Sequence, residues 1–227
     1  MPLDTSGGDR AIVSQVERVY ESMRHAILDG RYPPGKPLRP NVIASDNKVS
    51  FIPVREALRL LEAARLVEII PNKGARVAEV SETDMVDAYA LRITLEGIAI
   101  AKACELISDE EIEEASKLLA AMLAAFEAGD TEVSASTHRA FHLVLYRAAR
   151  SVWLIHLVEL LMSNTDRYRR LLTPARPSAA HLTAIRTQHT AILDAVKARN
   201  AKLATKVLKQ HLEDTLSRYK MGLAERV

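Results

Sequence analysis

The sequence predicts a mainly α protein, with an N-terminal winged helix-turn-helix followed by a C-terminal antiparallel α-helical bundle of about six helices. Three observations carry this. Apolar residues recur at helical spacing along most of the 227-residue chain. One short region, LVEIIPNKGARVAEV, breaks that period with two β-branched stretches around a Pro-Asn-Lys-Gly turn. Charge is also uneven: residues 10–77 hold 12 Lys+Arg against 7 Asp+Glu, whereas residues 78–227 hold 19 against 20. A basic first third on a neutral remainder fits a polyanion-binding module joined to a second domain.

Taken in order, residues 1–9 carry Gly, Ser and Asp and are expected to be mobile. Ile12, Val16, Val19, Tyr20, Met23 and Ile27 give a first helix over residues 12–28. The stretch DGRYPPGKPL ends it, because Gly30 suits a C-terminal cap and Pro33-Pro34-Gly35 forces a turn. A short helix fits residues 41–46. Another begins at Ser50, a suitable N-cap, with Pro53 tolerated in its first turn. Two strands joined at residues 71–74 follow as a hairpin, so the DNA-binding domain is set at residues 10–78. A linker near 78–82 leads to the helical domain, residues 82–222. Ser81 and Asp84 suit its first helix start. The segment ISDEEIEEASKLLAAMLAAFEAGD is its second helix, with an acidic first turn favourable to the helix dipole and Gly129 as its end. Further helices fit 131–149, 151–173, 179–199 and 201–222, with TPARPS and ARNAK as breaks.

The composition narrows the function. No apolar run approaches the roughly 18 residues of a membrane span, and the start lacks the basic flank and apolar core of a signal peptide. Cys104 is the single cysteine, which excludes an intrachain disulfide and a thiolate cluster. A cytoplasmic location is expected, with no membrane partner.

Histidines supply the chemistry. Four of the seven, His138, His142, His189 and His211, fall mid-helix among apolar residues on three of the predicted helices. A buried neutral imidazole needs a partner, and four converging ones need something shared. A divalent transition metal would serve, zinc first, with nickel or iron as alternatives, since all-imidazole ligation suits these better than magnesium or calcium. Against this stands the bland reading that one HxxxH on a helix is more often incidental than a site. His25, His156 and His181 fit no pattern.

Two segments then carry a resemblance. VYESMRHAILDGRYPPGKPL and VSFIPVREALRLLEAARLVEIIPNKGARV resemble the GntR family of bacterial repressors, whose usual pattern is LRxAIxxGxxxPGxxL, then VSRTPVREALxxLxxxGLV and a wing ending in RGxxV. The match spans most of residues 16–77. It implies that the helix starting at Ser50 enters the major groove and that a homodimer reads a palindromic operator on double-stranded DNA. By position, Ser50 would contact a phosphate and Arg55 a phosphate or guanine edge, while Gly74 would let the wing tip approach the minor groove. Arg39, Arg59 and Lys73 complete the expected DNA-binding set. The bland alternative for Arg55 is an ion pair with a neighbouring glutamate. Phe51 and Ile52 stand where the family has Arg and Thr; they would either meet thymine methyls or be buried against the first helix. Arg65 replaces the usual glycine before the wing.

Residues 82–222 resemble the FCD effector domain of the FadR-like branch, on LRITLE (91–96), HRAFH (138–142), QHTAIL (188–193) and QHLED (210–214). In metal-bearing members the second block reads DxxFH, and its Asp and His with two later histidines bind one divalent cation. His142, His189 and His211 match those histidines, and His138 stands in place of the Asp. The resemblance implies a small carboxylate effector near the metal. Arg92 is its candidate clamp, with an i,i+4 ion pair to Glu96 as the equal alternative. Tyr89, Asn164 and Arg167 are further candidates. The function expected is a ligand-responsive transcription regulator, a repressor and not an enzyme. The alternatives are a metal-dependent hydrolase or isomerase using the histidine cluster, and a metal-free regulator with a histidine-lined pocket.

Overall fold

A computed structural model describes residues 6–71, 73–173 and 178–225, with side chains from Ser14 onward. Asn72 of the hairpin turn and residues 174–177 of the TPARPS break lie outside the described residues. Contacts divide the chain into two units, one of residues 1–81 with 166–171, the other of residues 82–165 with 172–227.

The first unit runs α1 (Ser6–Leu28), β1 (Pro37–Leu38), α2 (Pro40–Asn47), α3 (Phe51–Ala63), β2 (Val67–Ile70) and β3 (Gly74–Val77). Its core follows the helical period: Val19, Met23 and Ile27 of α1 are buried with Val54, Ala57, Leu58 and Leu61 of α3. Two differences from the sequence expectation appear. The first helix takes in residues 6–9, because an established helix gains one hydrogen bond per added residue and extends at little cost. The wing is three-stranded, in the order β1-β3-β2, with Leu38 opposite Ala75 and Val67 opposite Val77. A two-residue strand that opens on proline shows no alternation to read. At the wing, Gly74 has φ +89°, a conformation costly for a side-chain-bearing residue.

Six helices follow among the described residues, all in the second unit except residues 166–171 of α7: α4 (Glu82–Leu106), α5 (Asp109–Ala128), α6 (Thr131–Arg147), α7 (Val152–Leu172), α8 (Ala179–Lys197) and α9 (Ala201–Ala224). Their starts are written locally. Ser108 and Glu111 form a reciprocal capping box on α5, with bonds of 3.2 and 3.0 Å. Asp130, Ser178 and Asn200 cap α6, α8 and α9 through single side-chain acceptors; such caps contribute about 1 kcal/mol each. Ser50 differs: it stands at the N-cap of α3 with extended backbone, and its side chain makes no capping bond. α4 packs on α9, and α8 packs on both α5 and α9, so α8 and α9 lie side by side inside the bundle. No helix of the described residues is long and apolar enough to cross a membrane.

Candidate metal centre and nucleic-acid interface

Four histidines predicted from sequence meet in the bundle. His138 and His142 come from α6, His189 from α8 and His211 from α9. One ring nitrogen from each lies within 4.8 Å of the others. Ring centroids are 4.6 Å apart for His189–His211, 4.7 Å for His138–His142 and 5.2 Å for His142–His189. His142, His189 and His211 are buried, while His138 is half-buried at the edge. Phe141 lies against His142 and His189, its centroid 5.1 and 5.7 Å from theirs, and forms an apolar wall.

The protonation states are set by burial. Loss of water holds His142 and His211 well below the ordinary imidazole range, and the neighbouring imidazoles and the Arg92 guanidinium push the same way. His189 is lowered to about 4, again mainly by desolvation. All three are therefore neutral at pH 7 and each keeps one lone pair. Their outer nitrogens are engaged. His189 Nδ1 lies 2.7 Å from the Ile185 carbonyl oxygen, which can only accept. His211 Nδ1 lies 3.0 Å from Gln188 Oε1, and the Gln188 amide nitrogen donates to Asp214 at 2.7 Å, which orients that amide. In both, Nδ1 carries the proton and Nε2 the lone pair. The Nε2 atoms of His142 and His189 are buried with no hydrogen-bond partner among the described residues. An orphaned lone pair in a dry site costs about 1–3 kcal/mol, and a cation with a taste for imidazole satisfies both at once. The residues fit a transition metal.

The candidate effector residues divide. Arg92 is buried; its Nε donates to Glu96 at 2.6 Å and its Nη1 to Thr165 Oγ1 at 2.9 Å, so the ion pair weighed against the clamp is the arrangement present. Tyr89 is buried beside it, with the Arg92 guanidinium 4.9 Å from the ring centroid and Tyr219 edge-on at 6.2 Å. Asn164 is buried on α7. Arg167 groups with the first unit, where it donates to the Arg65 carbonyl and the Tyr168 hydroxyl. Sequence reasoning missed Tyr146, Gln188, Asp214 and Arg218. Tyr146 is one turn from His142 on the same helix face, and Arg218 two turns from His211, so helical spacing alone pointed to both.

In the first unit, α3 buries Pro53, Val54, Ala57, Leu58 and Leu61 and exposes Ser50, Phe51, Ile52, Arg55 and Arg59. Phe51 and Ile52 are 45% and 66% exposed, which overturns the reading that buries them against the first helix. Arg55 makes no ion pair among the described residues. Arg59 bonds Glu56 at 3.0 Å. Arg39, Lys73 and Gly74 are exposed.

Residues 15–77 match the model of the bacterial regulatory proteins of the gntR family, and residues 87–214 match the FCD domain. The chain belongs to the GntR family. It is 30% identical over 200 residues to the transcriptional repressor GlaR of Escherichia coli K12, covering 85% of this chain and 90% of that one. To the gluconate operon transcriptional repressor of Bacillus subtilis 168 it is 24% identical, over 87% of this chain and 82% of that one. The solved structure of E. coli McbR/YncC shares the fold with a TM-score of 0.78 at 23% identity, covering 91% and 97% of the two chains. This GntR protein is thus a DNA-binding transcription regulator with a helical FCD domain.

Proposed function

We propose that this GntR regulator is a cytoplasmic homodimeric repressor that releases or reshapes its operator complex when a small carboxylate binds its FCD domain beside a divalent transition metal. His142, His189 and His211 would hold the metal, zinc first with nickel or iron as alternatives, and His138 stands at the edge as the fourth ligand. The observation that carries this is the pair of buried, unpartnered Nε2 atoms among four converging imidazoles. A bound cation would supply a Lewis-acidic contact for a carboxylate oxygen. The four candidate ligands include no carboxylate, since His138 stands where the family has Asp, and the Arg218 guanidinium acts on His189 and His211. Arg218 bonds the Thr215 hydroxyl at 2.9 Å and no carboxylate among the described residues, which favours it as a contact for an acid. A relative named for a gluconate operon supports an organic-acid signal.

On the DNA side, the exposed face of α3 presents Phe51, Ile52 and Arg55 to the major groove, with Ser50, Arg39 and Arg59 toward the backbone and Lys73 and Gly74 on the wing. A palindrome needs two copies, and exposed Leu91 and Ile98, seven residues apart on one face of α4, suit a partner copy.

The test is metal analysis of dialysed protein, followed by thermal-shift measurements with simple carboxylic acids with and without metal. About one equivalent per chain and acid stabilisation that requires metal are expected. Less than about a tenth of an equivalent, with no gain on adding zinc, nickel or iron, would leave a metal-free regulator instead.

A further inference from the structure

His142 differs from its two buried neighbours. The outer nitrogens of His189 and His211 face carbonyl oxygens, which can only accept, so their tautomers are fixed by one contact. His142 Nδ1 instead faces the Tyr146 hydroxyl at 3.2 Å, a group able to donate or accept. The decision therefore lies one bond further out.

Tyr146 Oη is 2.5 Å from Glu96 Oε2. The other oxygen of Glu96 accepts from Arg92 Nε at 2.6 Å, and Arg92 is held in turn by Thr165. Glu96 is wholly buried and Tyr146 likewise. Paired with Arg92, Glu96 is a carboxylate, and a carboxylate has no proton to give. The Tyr146 proton must point to Glu96, which leaves only lone pairs on the phenol oxygen for His142. His142 then donates from Nδ1 and carries its free lone pair on Nε2, the atom that is buried without a partner.

We propose that Tyr146, Glu96 and Arg92 are positioning residues of the metal centre, a three-residue chain whose polarity sets the tautomer of His142 and aims Nε2 at the shared site. Arg92 is thereby a strut of the site and not the effector's clamp. The purpose of the chain rests on the metal reading, but the tautomer is a property of the metal-free protein and can be measured there. Outer partners of metal-bound histidines commonly change metal affinity about 10–100-fold.

The experiment uses full-length protein. Long-range proton–nitrogen spectra of the metal-free parent are expected to show a protonated Nδ1 and a bare Nε2 on His142. Glu96→Gln keeps the shape; Arg92 holds the amide oxygen, so the NH2 faces Tyr146 and turns the hydroxyl toward Nδ1. The proton on His142 is then expected to move to Nε2, with His189 and His211 unchanged, and zinc affinity by chelator competition to fall about 10–100-fold. Tyr146→Phe, the milder variant, removes the acceptor and is expected to mix the His142 tautomers and weaken zinc in the same direction. An unaltered His142 tautomer in both variants overturns the proposal, as does a Tyr146→Phe affinity within about twofold of the parent. If the parent binds no metal, the metal reading falls, and the tautomer comparison by itself still upholds or overturns this chain.

Discussion

Arg55 and Arg59 sit one turn apart on the exposed face of α3, yet their charges are placed differently. Arg59 is tied to Glu56 within the helix, an exposed i,i+3 pair whose contribution to stability is small. Arg55 has no such tie among the described residues, so its fork is available at no cost of breaking an ion pair. Arg55→Ala should therefore weaken binding to the protein's own promoter DNA by about 1–3 kcal/mol, the range for a bidentate base contact. Arg59→Ala should cost less, and fluorescence anisotropy at a fixed salt concentration compares the two. Equal affinity of Arg55→Ala and the parent would remove α3 as the recognition helix. His138 poses the matching question in the bundle. A carboxylate there would cancel one charge of a bound divalent ion, whereas imidazole cancels none. His138→Asp should keep the metal while weakening a simple carboxylate such as acetate by roughly tenfold or more, from a Coulomb term of a few kcal/mol at about 5 Å. Calorimetry on the zinc-loaded protein reads this directly.

Local backbone conformation is an element-scale matter, and the junction of α3 with β2 shows what a sequence can and cannot disclose. Arg65 takes φ +56° there, with its N–H bonded to the Glu62 carbonyl at 2.9 Å. The left-handed conformation costs a side-chain-bearing residue about 1–2 kcal/mol, more than the roughly 0.5–1 kcal/mol of extra chain entropy that glycine loses on folding. Arg65→Gly should therefore stabilise the winged domain by about 0.5–1 kcal/mol, measured by urea denaturation; a destabilised variant would show that the Arg65 side chain contributes more than its backbone costs. The arginine-for-glycine departure at Arg65 was legible in the motif, although its left-handed backbone was not. Legibility elsewhere followed the same line. Periodicity, the acidic first turn of α5, Gly129 and the breaks TPARPS and ARNAK disclosed α5, α6, α8 and α9 because such signals are local. The caps that the structure adds at Ser108 with Glu111, Asp130, Ser178 and Asn200 are local too. β1 was illegible, since two residues beginning with Pro37 owe their strand state to Arg76 and Ala75, far away in sequence. The four histidines were legible as a set. The chain behind His142 was not, because Glu96 and Tyr146 are 50 residues apart and nothing in either segment announces the other.

At the scale of the whole molecule, the histidine cluster makes stability a function of pH. A buried imidazole held below its ordinary value stays neutral in the folded chain, while in the unfolded chain it takes up a proton below about pH 6.5. The unfolded state therefore binds more protons in mild acid, and stability rises with pH there. The contribution is fully present above pH 6.5 and is lost as pH falls, for His189 down to about 4. His142 and His211 shift in the same direction. Each proton contributes about 1.4 kcal/mol per pH unit, so three histidines together approach a slope of about 4 kcal/mol per unit. Set against a whole-domain stability of roughly 5–15 kcal/mol, a slope of that order is a large fraction of what holds the metal-free bundle together in mild acid. Urea midpoints of the metal-free protein should fall steeply from pH 7 to pH 5, and His189→Leu should flatten the profile by about one proton's share. A saturating transition metal should raise the midpoint most at neutral pH and least in acid, because protons and metal compete for the same lone pairs. A profile flat from pH 7 to pH 5 in metal-free protein would mean that water reaches the histidines, and a solvated cluster has no orphaned lone pairs for a metal to satisfy. The acid limb of the stability curve thus tests the dryness of the site, the property on which both its metal chemistry and its response to an acid depend.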